Sequence, residues 1–426
     1  MGVTERAIGG VDASRDELLP YVGPAAALPL FGALARLPYL VAVRIWTASL
    51  IAAFVALVLA PLALVRAREP ATIAGALLFG IASGAAVSAI ALGQAALVSA
   101  AGVACALVAF ERRAVTGGAA ATLLAAIQPN LAVGLIARMR DRVALASAAA
   151  AASAFAALTL AAGGGVHGVV AYARRLHEHA SAERFVSIQH TPVAIAWALG
   201  ASEPFALAIG GACAVGAVAA VAVATVRAHL DARDGTLLAL AALPLALPFF
   251  HEHDFVVELV PLIVLAVRTQ GAARGWTGAA AALICVDWFG IAQRPAAGAQ
   301  VVAFGIALAC AFATLGNGTR VRRADLAPFV AVAVLACAAI PLGRAFPAPI
   351  WPDALPAGYR APAAAGTSEV WAGEQRAAGL AVRQPAWGAL RALPLAGCMI
   401  LGMAIIGSRR RADRSEARTA TASVGG

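Results

Sequence analysis

Along most of the chain, apolar positions run together in long stretches that neither alternate nor recur on one face only, broken by short polar turns that carry arginine. Many stretches approach the roughly 20 residues a helix needs to cross the hydrocarbon of a bilayer. The pattern predicts membrane spans over 39–65, 71–91, 94–111, 143–163, 203–226, 236–250, 254–268, 275–293, 298–316, 326–345 and 389–407. The expected fold class is all-α: a polytopic transmembrane helical bundle of about 11 spans.

The segment 115–138 is apolar and long enough to cross, yet Arg112 and Arg113 precede it while Arg138, Arg140 and Arg142 follow it. Both ends therefore belong on the arginine-rich, cytoplasmic side. Pro129 in the middle removes a backbone donor and breaks the helix, so a re-entrant helical hairpin satisfies both constraints. With that hairpin, the clusters Arg66/Arg68, Arg112/Arg113, Arg138–Arg142, Arg227/Arg233, Arg268/Arg274, Arg320–Arg323 and Arg409–Arg411 all fall on one side. The C-terminus is then cytoplasmic, with 408–426 a disordered tail. Residues 1–38 form an extracytoplasmic segment with a short interfacial helix. An outside N-terminus with no span to deliver it leads to the expectation that a first helix is missing.

Composition sharpens this picture. Hydrophobic residues make up 62% of the chain, charged residues 13%, and mean hydropathy is +0.83, which excludes a water-soluble domain of 426 residues. The net charge of +10 does not point to nucleic acid, because arginines cluster between apolar segments instead of lining one stripe. All six cysteines lie inside apolar segments without a CxxC pair, so neither a zinc nor a disulfide framework is read. No Walker loop, nucleophile elbow or HExxH helix occurs, and no cofactor is assigned.

Polar chemistry gathers in what this topology makes the outer loops, 164–202 and 346–388, and in the turn "FFHEHD" at 249–254. Six of the seven histidines (His167, His177, His179, His190, His251, His253) fall on that side. Glu258 lies one helical turn below Asp254 inside an apolar run, where an intramembrane carboxylate marks a functional site, and Asp287 is similar. The stretch "GGGVHGVVAYARRLHEHASAERF" reads as an interfacial amphipathic helix whose Arg174, Arg175 and Arg184 face headgroups. The side chains of "HEHD" are of ligand type, but the sequence spacing has no strong metal signature and no metal is assigned.

Several strings resemble glycosyltransferase family 87, the polyprenyl-phosphate-mannose-dependent mannosyltransferases of the GT-C class. "YVGPAAALPLFGALARLPYLVAVRIW" is similar to the family's Tyr-Pro-Pro segment and following helix. "LGQAALVSAAGVACALVAFERRAVTGGAAATLLAAIQPNLAVGLIARMRDR" is similar to its Gly-Gln turn, arginine loop and Lys-Pro hairpin, and "LPFFHEHDFVVELVPLIVL" to its histidine segment opening a helix. The resemblance implies that Gln94 and Gln128 line the site, Gln128 standing where Lys is usual, and that His253 takes the place of the family's histidine. His251 occupies the usual Trp position. Enzymes of this class place a catalytic Asp in the first outer loop; Asp12 and Asp16 precede Tyr21 and are its candidate remnants.

The function implied is transfer of a hexose, mannose in that family, from a polyprenyl-phosphate donor to an extracytoplasmic lipid or glycan acceptor, at a bacterial cell (inner) membrane. His253, Glu252, Asp254, Asp12 and Asp16 are the catalytic candidates. Gln94, Gln128, Arg174, Arg175, His190 and His251 are the substrate-binding candidates, with the cationic ones placed to offset charge on a leaving phosphate. The rival readings are a membrane transporter, which the polar intramembrane residues also suit, and an inactive truncated member of the family.

Overall fold

The computed structural model describes residues 23–293, 298–315, 323–347, 359 and 367–424. Among them every regular element is helical, and the one pairing of extended backbone is an isolated antiparallel bridge between Gln189 and His251. Among the described residues, five helices are long and apolar enough to cross a membrane: Tyr39–Leu64, Arg142–Ala162, Glu203–Arg227, Leu326–Ala345 and Pro385–Ser408. A sixth span is completed if Pro70–Ile81 and Gly84–Ala91, bent by 63° at their junction, count as one.

The other expected spans fold as shorter or broken helices. The run 236–250 ends as a helix at Ala246, because Pro248 disfavours helical backbone at Leu247, which is extended (φ −91, ψ 142). The run 254–268 opens as a 3-10 helix, Glu252–Glu258, before the α-helix Leu259–Arg268. Helices Ala96–Glu111 and Gly298–Thr314 have 16 and 17 residues, a rise of about 24–26 Å.

The hairpin expected at 115–138 is present. One arm is the helix Val115–Ala125; the other is Pro129–Ala132 continued by the 3-10 turn Val133–Arg138. Its two ends meet at one place, since Arg113 donates to Asp141 at 2.8 Å and Arg138 donates to Glu111 at 3.0 Å. Arg138 also lies 3.5 Å from Asp141, whose side chain caps the next helix by accepting from the Val143 amide. The first arm packs close to Ala96–Glu111 because Gly102 lacks a side chain; a Cβ there would overlap the backbone of Ala121 and Ala125.

A single large apolar core runs from Leu50 to Ile405 and includes the fully buried Phe79, Phe110, Phe250 and Phe312. Glu203–Arg227 presents most of its surface outward, with Val215 71% and Val218 63% exposed, as a lipid-facing helix does. The last helix continues from Pro385 to Val424, through the stretch expected to be disordered; Ala and Arg are strong helix formers.

Candidate functional site

Three separate stretches of chain converge on the turn at 249–254. The first is 183–191, which follows the helix Gly165–Ala182, the amphipathic helix read from the sequence. It pairs with the turn through the His190 amide, which donates to the Phe250 carbonyl at 2.7 Å, and through the Phe250 amide, which donates to Gln189 Oε1 at 2.9 Å. The second is the helix Thr367–Ala377 with the residues after it: the Ser187 amide donates to the Leu380 carbonyl at 3.0 Å. The buried Arg391 fixes the same stretch by donating to the carbonyls of Ser187 at 2.7 Å and Gln189 at 3.0 Å.

The third is the hairpin tip. Gln128 stands at the break before Pro129, the first residue of the second arm, a position proline favours. Its Nε2 donates to Asp254 Oδ1 at 3.0 Å, across 126 residues of sequence. The other oxygen of Asp254 accepts from the His251 amide at 2.8 Å, so the fully buried carboxylate is held from two sides. His253 Nε2 lies 3.8 Å from Asp254 Oδ1, and the rings of His251 and His253 stack with centroids 5.1 Å apart.

Glu183, which the sequence did not single out, is the shared acceptor of this cluster. It is 3% exposed and accepts from Gln189 Nε2 at 3.0 Å and Trp371 Nε1 at 2.8 Å. His179 Nε2 lies 3.3 Å and His251 Nε2 3.2 Å from its oxygens. Burial pushes its carboxyl upward, but the hydrogen bond and charge of His251, then His179 and Trp371, hold it below the ordinary range. Burial pulls His251 down, and the bond and charge of Glu183 with the charge of Asp254 outweigh it, so His251 is raised. Burial, reinforced by the charges of Arg391 and His251, takes His190 down to about 3. Burial first, then the charge of His251, puts His253 well below its ordinary value, so the rings of His190 and His253 are neutral at pH 7.

The structure thus brings together Gln128, His190, His251, His253 and Asp254 of the expected residues. Glu252 shares their turn and is partly exposed. Among the described residues, the side chains of Gln94 and Arg174 make no hydrogen bond into the cluster; Arg174 is exposed on its helix. The side chain of Arg175 and both Asp12 and Asp16 lie outside the described residues. Sequence reading missed Glu183, Gln189, Trp371 and Arg391. The only local sign of Glu183 was its place four residues after His179 at the end of an amphipathic helix.

A buried cluster of histidines and carboxylates suits proton transfer and the binding of a phosphate or cation. It lies where the broken hairpin meets the segments 183–191 and 249–254. No curated protein and no solved structure matches the chain. The profile of glycosyltransferase family 87 matches residues 21–250, more than half of the chain, and takes in the hairpin, the Glu183 segment and the approach to the histidine turn. The chain therefore belongs to glycosyltransferase family 87 and is a membrane glycosyltransferase.

Proposed function

We propose that this protein transfers a hexose, mannose by family resemblance, from a polyprenyl-phosphate donor to a lipid or glycan acceptor on the extracytoplasmic face of a bacterial inner membrane, with the C-terminus cytoplasmic. The observation that carries this reading is the bond between Gln128, at the tip of an apolar hairpin, and Asp254, in the histidine turn. It ties the break of an apolar hairpin to a cluster of histidines and carboxylates of the kind that binds a phosphate. Membrane lipids are the surroundings of the site, and nucleic acid has no part in it.

In the proposed reaction the acceptor hydroxyl oxygen forms a bond to the anomeric carbon while the bond from that carbon to the phosphate oxygen breaks. The hydroxyl proton passes to Glu252, the partly exposed carboxylate of the turn, and polyprenyl phosphate leaves with the electron pair. His251 and His253 face the leaving phosphate, where donors aimed at developing charge lower the barrier.

The test is a transfer assay in membranes with radiolabelled polyprenyl-phosphate mannose and, separately, a nucleotide sugar. Transfer from the lipid donor alone is expected, reduced by about 100-fold or more in Glu252→Gln and in His253→Ala. Transfer from the nucleotide sugar in the absence of lipid carrier overturns the donor assignment. Uptake of free sugar into sealed vesicles without transfer overturns the transferase assignment.

A further inference from the structure

Along the chain, histidines two apart followed by an aspartate form no recognised metal spacing. Folding changes their relation. His251 is extended (φ −100, ψ 172) as the N-cap of the 3-10 helix Glu252–Glu258, and the tight turn that follows swings His253 and Asp254 to its side. One ligand atom from each of His251, His253 and Asp254 lies within 4.8 Å of the other two. Ligand atoms around a tetrahedral ion at about 2.0–2.1 Å are roughly 3.4 Å apart, so a small closing of side chains suffices.

Charge and surroundings fit a cation as well. The pocket holds two carboxylates, Asp254 and Glu183, and among the described residues no arginine forms an ion pair with either. Their partners are histidines instead, and a neutral imidazole nitrogen is a metal ligand. Gln128 and the His251 amide fix the orientation of the Asp254 carboxylate, as outer partners of metal ligands do. Glu183 Oε2, 3.2 Å from His251 Nε2, stands ready as a fourth donor. The side chains of His251 and His253 are 14% and 10% exposed, so an ion has a way in.

We propose that His251, His253 and Asp254, with Glu183 beside them, bind one divalent transition-metal ion, zinc or manganese. Two imidazoles and a carboxylate are a donor set that such ions take, with positions left for an oxygen ligand. The role of the ion rests on the proposed function: at this place it holds an oxygen of the donor's phosphate and offsets charge as the bond to the sugar breaks. Its presence does not depend on that reading.

The experiment uses the full chain in detergent, purified with a tag free of histidine. Elemental analysis of protein loaded with Zn²⁺ or Mn²⁺ and then desalted is expected to give one equivalent per chain. After chelator treatment, Co²⁺ is expected to restore visible d–d absorption bands. Asp254→Asn and His253→Gln are expected to weaken Co²⁺ binding by about 100-fold, and Glu183→Gln by about 10-fold. His177→Ala, on the exposed side of the amphipathic helix, leaves it unchanged. Melting temperatures within a few degrees of wild type certify that each variant is folded. Wild-type metal content equal to that of the His251→Gln/His253→Gln/Asp254→Asn variant overturns the site, as do identical Co²⁺ spectra. Stoichiometric binding without sugar transfer from the lipid donor leaves the metal site standing and removes the proposed function. Full transfer by metal-free protein keeps the proposed function and removes the ion's part in it, while the binding measurements decide the site.

Discussion

The two ends of the re-entrant hairpin are built from the same kinds of residue in opposite ways. At the mouth, Arg113 and Arg138 each meet a carboxylate at 2.8–3.0 Å, and the arginines close the loop between two helices. At the tip, one helix arm of 11 residues and about 17 Å away, Gln128 meets Asp254 in a pocket where carboxylates face histidines. Full-strength opposite charges at the mouth cancel and leave nothing to react. At the tip the partners are neutral or titratable, so the carboxylates keep the capacity to bind a proton or a cation. Polar groups of that kind in an apolar setting lower stability and persist where they do chemistry.

Removing the acceptor at the centre of the pocket separates the two ends most sharply. Glu183→Ala removes the carboxylate that accepts from Trp371 Nε1 and Gln189 Nε2 and unseats His179 and His251. Unmade hydrogen bonds of buried donors each cost roughly 1–3 kcal/mol, so a loss of about 3 kcal/mol and of nearly all transfer is expected. Thermal melting in detergent and the transfer assay measure both. Glu183→Gln, which keeps an acceptor of the same shape, is expected to recover most of the stability and little of the activity. If the glutamine variant transfers sugar at the wild-type rate, Glu183 is a structural strut and the pocket is no different in kind from the mouth.

Arg391 comes next. Its guanidinium ties the carbonyls of Ser187 and Gln189 from a helix about 200 residues away. Arg391→Leu fills the space but leaves those carbonyls bare, with an expected loss of about 2 kcal/mol. Because 183–191 then moves as a unit, transfer falls together with protease resistance of that loop. Limited proteolysis that finds the loop unchanged removes Arg391 from the architecture of the site.

How far the sequence revealed this depended on the range of each interaction. The hairpin was legible because Pro129 and the flanking arginines are local signals, and the structure adds only that its mouth is clasped by Glu111 and Asp141. The amphipathic helix before Glu183 and the crowded turn at 249–254 were legible for the same reason. Glu183 was not: Trp371 is 188 residues from it and Gln189 six, and no period connects them. Nor was the length of each span, since a single proline such as Pro248 ends a helix inside an apolar run that hydropathy reads as continuous. Arg174 and Arg175 stood out by charge, yet charge alone did not place Arg174 in the pocket.

A weaker test at the tip is Gln128→Ala, which deletes one hydrogen bond to Asp254 while leaving Pro129 to hold the break. A neutral bond to a carboxylate contributes about 1.5–3 kcal/mol at most when buried, and part is regained by water at this partly exposed side chain. Transfer is expected to fall about 10-fold with a small change in melting temperature. Gln128→Lys places the residue usual in the family against Asp254. If its ammonium substitutes for a cation in the pocket, the variant transfers sugar after chelator treatment that silences wild type.

The smallest effect belongs to the mouth. Asp141→Asn removes the charge that meets Arg113 but keeps a side-chain oxygen to cap Val143, so the helix start is preserved. The Arg113 side chain is 62% exposed and its ion pair is screened by water and salt, which limits the loss to below about 1 kcal/mol. Arg138, 4% exposed, still has Glu111 at 3.0 Å. Sugar transfer is expected to stay within a factor of about two of wild type, since the charge lost lies a full hairpin arm from Asp254. A drop as large as that of Gln128→Ala would mean that the mouth sets the position of the tip rigidly. The arginine clasp would then belong to the site, and the contrast between the two ends would be one of distance only.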